Sequence, residues 1–181
     1  MINTFLKSPL ATTGIIILGL LTILAIFAPY IAPFHYTELH PGHAFAPPNS
    51  KFLMGTDYFG RDVLSRIIYG TRISLRVGIL AVLISFTMGT VLGVTSGYLG
   101  GWPSEIIMRV MDLFFAFPPL ILAIMLMSIL GSSENNTIIA VGIVYTPIFA
   151  RMARGAILDV LDQEYVFAAR SVGASSNRII F

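Results

Sequence analysis

Gly14-Ile-Ile-Ile-Leu-Gly-Leu-Leu-Thr-Ile-Leu-Ala-Ile-Phe-Ala28 lies inside an uncharged stretch that begins after Lys7 and ends before His35. A hydrocarbon core roughly 30 Å thick needs about 20 helical residues rising ~1.5 Å each, and this stretch supplies them. One basic residue ahead of an apolar run also describes a secretory signal peptide. A signal h-region is only about 7–15 residues long, however, and no convincing small-x-small cleavage site follows here. The stretch reads as an uncleaved first transmembrane helix, with Pro29 and Pro33 near its outer end.

The rest of the chain has the same character. Of its 181 residues, 56% are hydrophobic and 11% charged, and the mean hydropathy is +0.84. Soluble domains carry about 25% charged residues, so a water-facing surface could not be covered. A net charge of +2 is too small to suggest a nucleic-acid partner, and the basic residues sit at the ends of apolar runs, where lipid headgroups or partner proteins meet them. With no cysteine, disulfides and thiolate metal sites are excluded.

Three further uncharged runs follow, Val77 to Ser104, Leu113 to Ser133 and the shorter Asn135 to Ala150, which ends in Arg151 and Arg154. Those arginines can snorkel to the interface, where they also complement the negative end of the helix dipole. No charge falls inside a run, so the intramembrane charges that proton relays and voltage sensors require are missing. Small residues recur every fourth position in the second run, at Ala81, Ser85, Gly89, Gly93, Gly97 and Gly101. Such a stripe lets two helices approach closely; helix packing is the expected role, centred on Gly89, Gly93 and Gly97, with pore lining as the alternative. Pro118, Pro119 and Pro147 are expected at kinks or helix starts. The fold class is all-α: a polytopic transmembrane helical bundle with about four spans. Basic residues are almost evenly divided between the two sides of such a bundle, so their count leaves orientation open.

Two segments are polar. In residues 35–76, His35, His40 and His43 match no standard metal-ligand spacing and read as part of a solvated loop. Asp62 is a plausible cap for a short amphipathic helix carrying Val63, Leu64, Ile67 and Ile68, stopped at Gly70 and lying flat at the membrane interface. In residues 159–181, Asp162 can cap a helix whose first turn holds Glu164. Tyr165, Val166, Ala168, Ala169 and Val172 share its apolar face, and Gly173 can stop it in the left-handed region. Ser175, Ser176 or Asn177 can cap a second helix from near Arg178. The face can dock on a partner protein, or lie on the membrane or against its own bundle. The pattern stops midway at Phe181, as expected of a fragment.

Gly55-Thr-Asp-Tyr-Phe-Gly-Arg-Asp-Val-Leu-Ser-Arg-Ile-Ile-Tyr-Gly-Thr-Arg-Ile-Ser-Leu-Arg-Val-Gly78 resembles the signature of the dipeptide, oligopeptide and nickel permeases among ATP-binding-cassette importers, specifically the second of their two permease subunits. Glu164-Tyr-Val-Phe-Ala-Ala-Arg-Ser-Val-Gly-Ala174 resembles the cytoplasmic loop by which such permeases contact their ATPase. Phe117-Pro118 and Gly97-Tyr-Leu-Gly-Gly-Trp102 fit as well. The resemblance implies a bacterial inner-membrane, multi-pass permease with further spans beyond this stretch. It implies an N-terminal transmembrane helix over 1–34, a periplasmic loop over 35–76, core permease helices over 77–158 and an incomplete coupling loop over 159–181. The implied partners are a second permease subunit, cytoplasmic ATP-binding subunits and an extracytoplasmic solute-binding protein. The implied cargo is a di- or oligopeptide, or nickel. Glu164, Tyr165, Ala168, Ala169, Arg170 and Gly173 would form the coupling element. Phe167 departs from the pattern, which has an acidic residue before the paired alanines. No phosphate-binding loop, catalytic constellation or cofactor motif occurs, so the chain is not expected to be an enzyme or to hold a cofactor. A stand-alone channel or secondary carrier is the alternative; it would call for intramembrane charge or inverted repeats.

Overall fold

Three helices of the computed structural model are long and apolar enough to cross a membrane, and they account for three of the four uncharged runs. The structure describes residues 8–175 and Arg178. Among these the secondary structure is helical, apart from one isolated bridge between Thr56 and Asp62. Six helices follow in order: α1 Pro9–Ile31, α2 Val63–Leu99, α3 Gly101–Phe115, α4 Pro119–Leu130, α5 Glu134–Leu161 and α6 Glu164–Ser171. The chain divides into two compact units, the first ending at Arg76 and the second beginning at Val77.

In the first unit, the 23 residues of α1 give a length of about 35 Å. Pro9 occupies its first turn, where a missing N–H costs nothing, and Pro29 falls in its last. Only Ala25 and Ala28 are buried, while isoleucines and leucines are exposed around the rest of the helix, the composition of a lipid-facing span. Thr12, Thr13 and Thr22 donate their hydroxyls to the carbonyls of Ser8, Pro9 and Leu18, so none of these three needs water.

The expected short interfacial helix ending at Gly70 does not form as a separate element: α2 starts at Val63 and runs unbroken through Gly70 to Leu99. One interior glycine costs about 1 kcal/mol, too little to end a helix whose apolar pattern resumes beyond it. The helix ends instead at Gly100 and Gly101, which hold φ of +62° and +51°. Gly101 therefore opens α3 and does not continue the small-residue stripe of α2.

The second correction concerns the run from Leu113 to Ser133. The chain breaks between Phe115 and Pro119, so that α3 and α4 meet at 97°. Pro118 restricts the residue before it to extended conformations, and Pro119 opens α4. At 12 residues, α4 is about 18 Å long, shorter than a bilayer core; the bent α3–α4 pair has the length and composition of a broken fourth span or of a re-entrant loop. Pro147, by contrast, lies inside α5 and is buried there. α5 also outruns its uncharged stretch, ending only at Leu161.

Candidate functional site

The second unit is assembled along the small-residue stripe. Ala81 and Ser85 are buried, and the Ser85 hydroxyl donates to its own helix at Ala81 O (2.9 Å) and across to Gly142 O of α5 (2.8 Å). A Cβ added at Gly89 would lie 2.5 Å from Phe149 Cβ and 2.7 Å from Thr146 O. At Gly93 it would meet Ala150 O and Ala153 Cβ, and at Gly97 it would run into Ile157 Cγ2. Gly142 returns the contact from α5, where a Cβ would lie 2.7 Å from Ile84 Cγ2. Residues Ala81 to Gly97 thus form a seam in which backbone meets backbone, the geometry that small residues permit between membrane helices.

Beyond the seam, α5 holds α3 through two arginines one turn apart. Arg151 Nη2 pairs with Asp112 Oδ1 at 2.6 Å, and its guanidinium stacks 4.0 Å from the Phe115 ring. Arg154 Nε donates to Ser104 Oγ at 3.2 Å, and the buried Ser104 and Ser96 hydroxyls lie 2.9 Å apart. In the sequence both arginines have the character of interfacial anchors, and these partners are not apparent there. The available signal was positional: Asp112 and Arg151 each stand at the edge of an uncharged run. The far end is tied by Asn136, whose Nδ2 donates to the last carbonyls of α4, Leu130 O (2.6 Å) and Gly131 O (3.0 Å).

Two residues after α5 comes α6. Asp162 closes α5 rather than capping α6; Gln163 takes the N-cap position, without a side-chain cap bond, and its amide donates to Asp159 O at 3.1 Å. Glu164 and Arg170 occupy the first and last turns, each complementing the dipole end beside it. The corner that follows is fully built. Gly173, at φ +82°, donates to Arg170 O, and Ala174 donates back to Ala169 O, both at 3.0 Å, which is the Schellman arrangement. The expected apolar face is split. Val166 is buried at 3% exposure and Ala169 is half-buried, whereas Tyr165 (63%), Phe167 and Ala168 are exposed. The second helix expected from Arg178, with Ser175, Ser176 or Asn177 as its cap, lies for the most part outside the described residues.

In the first unit, residues 57–66 are tied together by two carboxylates. Asp57 Oδ1 accepts from the backbone of Phe59 (2.8 Å) and Arg61 (3.0 Å), and Oδ2 accepts from Arg61 Nε (2.8 Å) and from Arg66. Burial pushes the Asp57 pKa up, but these donors, led by the Arg61 backbone N–H, outweigh it and hold the carboxyl below its usual value. Asp62 does cap α2: its Oδ2 accepts from Ser65 N and Ser65 Oγ, both at 2.7 Å, while Phe34 N donates to the same hydroxyl. The three histidines are held by aromatic rings. His40 and His43 pack on Phe52, and His35 packs on Tyr36 and Tyr69. Among the described residues no group of three His, Asp or Glu side chains could hold a metal.

Long apolar helices, glycine seams between them and satisfied hydroxyls inside them define a polytopic helical membrane protein. A family model described as the binding-protein-dependent transport system inner membrane component matches residues 89–181, and the chain belongs to that family. A second model, the N-terminal transmembrane domain of oligopeptide transport permease C, matches residues 1–48. The dipeptide transport system permease protein of Alkalihalophilus pseudofirmus is 41% identical over 175 residues, 97% of this chain and 58% of that protein. The glutathione transport system permease protein of Pectobacterium atrosepticum is 41% identical over 183 residues, covering 98% and 59%. The di/tripeptide transport system permease protein of Pseudomonas aeruginosa is 38% identical over 185 residues, covering 99% and 61%. The chain thus spans about three fifths of the length of these relatives, all of them transport permeases.

Proposed function

We propose that the protein is a permease subunit of an ATP-binding-cassette importer for short peptides, forming half of the pathway and driven by ATP hydrolysed on separate chains. The observation that carries this is α6: a short helix two residues beyond a membrane-crossing helix, fixed at its end by Gly173 and exposing Tyr165, Phe167 and Ala168. The exposed side chains would seat in a cleft of the ATPase, while Val166 and Ala169 tie the helix to its own bundle. Phe167, standing where the resembling loops carry an acidic residue, would add an apolar contact in place of an ion pair. Residues 159–181 would then be cytoplasmic, 35–76 extracytoplasmic and 77–158 the core of the permease, with the seam at Gly89, Gly93 and Gly97 holding that core together.

A second permease chain would complete the pathway, and a solute-binding protein would deliver the cargo. The relatives are named for dipeptides, di/tripeptides and glutathione, and glutathione is itself a tripeptide, so a short peptide is the common chemistry. The test is uptake of a labelled dipeptide and of glutathione by proteoliposomes holding the full-length chain with its partners. Uptake should require ATP, and Gly173→Asp should abolish it while ATP hydrolysis continues. Undiminished uptake by that variant would overturn the coupling role. ATP-driven nickel uptake without peptide uptake would overturn the choice of cargo.

A further inference from the structure

Helix α3 lies between two joints. Gly100 and Gly101 link it to α2 with both residues at positive φ, and beyond Phe115 the chain turns 97° into α4. Backbone hydrogen bonds close both joints, Gly100 N to Ser96 O at one and Ala116 N to Asp112 O at the other, and the side chains of α3 add a hold on its direction. They do so on one face. Ser104, Met111, Asp112 and Phe115 recur at i, i+7, i+8 and i+11; Ser104 and Met111 are buried, and Asp112 and Phe115 are exposed at the rim of the same side. Three of these four meet the two arginines of α5: Asp112 pairs with Arg151, Phe115 lies beneath it, and Ser104 accepts from Arg154 and bonds Ser96 of α2. Over the same turns, α2 and α5 are locked by Gly93 against Ala150 and Gly97 against Ile157.

We propose that Arg151 and Arg154 are positioning residues that fasten α3 to the end of α5, so that a displacement received at α6 carries α3 with it. This rests on the reading of α6 as the coupling helix. Three elements, the end of α2, α3 and the end of α5, then move as one body. Asp112 and Arg151 transmit force from α6 to α3 without touching the ATPase or the solute. The chemistry suits the role. A guanidinium held by a carboxylate on one side and an aromatic face on the other is restricted in orientation, whereas a lysine ammonium at that position would keep its freedom to swivel.

The test uses the full-length chain in its assembled transporter in nanodiscs. The 181 residues contain no cysteine; with any cysteine elsewhere in the transporter replaced by serine, spin labels at Ile106→Cys on α3 and Gly155→Cys on α5 report the distance between the two helices. That distance should agree within about 2 Å between the nucleotide-free state and the complex with a non-hydrolysable ATP analogue. A larger nucleotide-dependent change would overturn the inference, and this readout requires no solute. Asp112→Asn should broaden the distance distribution and lower dipeptide uptake per ATP hydrolysed by about fivefold or more. The charge exchange Asp112→Arg with Arg151→Asp re-forms the ion pair without the stack of an α5 guanidinium on Phe115, and should restore part of both. Wild-type uptake per ATP in Asp112→Asn, or an exchange that restores yield of the complex but not uptake per ATP, would equally overturn it. Gly173→Asp separates the two readings. If it uncouples transport while the α3–α5 distance of the wild type changes with nucleotide, only the fastening fails; if it transports normally, the coupling helix itself is wrong.

Discussion

Replacing Gly93 with alanine adds one methyl group at the closest backbone contact of the α2–α5 seam. The new carbon would contact the Ala150 carbonyl oxygen, with Ala150 C at 3.0 Å and Ala153 Cβ at 2.8 Å. Unstrained carbon contacts lie at about 3.5–4.0 Å, so the helices must part by roughly 0.7–1 Å. Nothing else can yield, because the obstacles are backbone and a Cβ rather than the end of a flexible side chain. A gap of that size forfeits about a quarter to a half of each dispersion contact beside it, and it would stretch the 2.8 Å bond from Ser85 to Gly142 O. Overpacking of this kind costs about 1–3 kcal/mol, and exchanging glycine for alanine inside a helix returns up to about 1 kcal/mol. The net expectation is a loss of about 1–2 kcal/mol, which shifts a folding equilibrium about 5- to 30-fold. Gly78 in the same helix is the control, since a Cβ there meets nothing within 4 Å; Gly78→Ala should be neutral or slightly stabilising. Thermal unfolding of the full-length chain in mild detergent compares the two. If Gly93→Ala were as stable as Gly78→Ala, α2 and α5 would not be in backbone contact and the seam would be refuted.

Asp62→Ala removes both acceptor bonds to Ser65 at the start of α2 and should destabilise the first unit by about 1–2 kcal/mol, read as faster amide exchange over residues 62–66. The lowered pKa of Asp57 sets a sign: its contribution to stability is complete above the ordinary carboxylate value of 3.8 and is lost as pH falls through the lower folded value. Exchange protection of the Phe59 and Arg61 amides should therefore be constant from neutral pH down to mildly acidic pH and collapse only below 3.8, and Asp57→Asn should remove that acid step. At Gly173, Ala should reduce coupled uptake because φ of +82° costs an L-residue about 1–2 kcal/mol, and Asn, which visits that region more readily, should retain more of it. Since no atom lies within 4 Å of a Cβ there, a loss caused by crowding is not expected, and equal uptake by the Ala and Asn variants would refute the conformational argument.

The helices legible in the sequence were those whose cause is local. Uncharged length marks α1, α2 and α5, small residues at every fourth position mark the seam, and a glycine after an amphipathic turn marks the end of α6. What escaped the sequence depends on neighbours. Gly70 has the look of a stop but sits in a helix whose pattern continues on both sides. The break before Pro118 is signalled by the proline pair, but its 97° angle is not, and the groups that hold α3, Arg151 and Arg154, lie more than 30 residues away on α5. Asp162 illustrates a smaller shift: an acidic residue before a helix is a natural cap, but here α5 runs to Leu161 and takes Asp162 as its C-cap. The face of α6 was legible as apolar, but its division into Val166 turned inward and Tyr165 turned outward required the bundle.

The central claim, that this chain belongs to an importer powered by other polypeptides, is tested most directly by native mass spectrometry of the tagged full-length protein released in mild detergent. The account predicts one complex containing this chain, a second permease chain and ATP-binding chains, and Tyr165→Ala should weaken retention of the ATP-binding chains. Recovery of this chain alone or as a homo-oligomer, with transport activity intact, would contradict the account and make α6 a membrane-surface helix of an independent carrier.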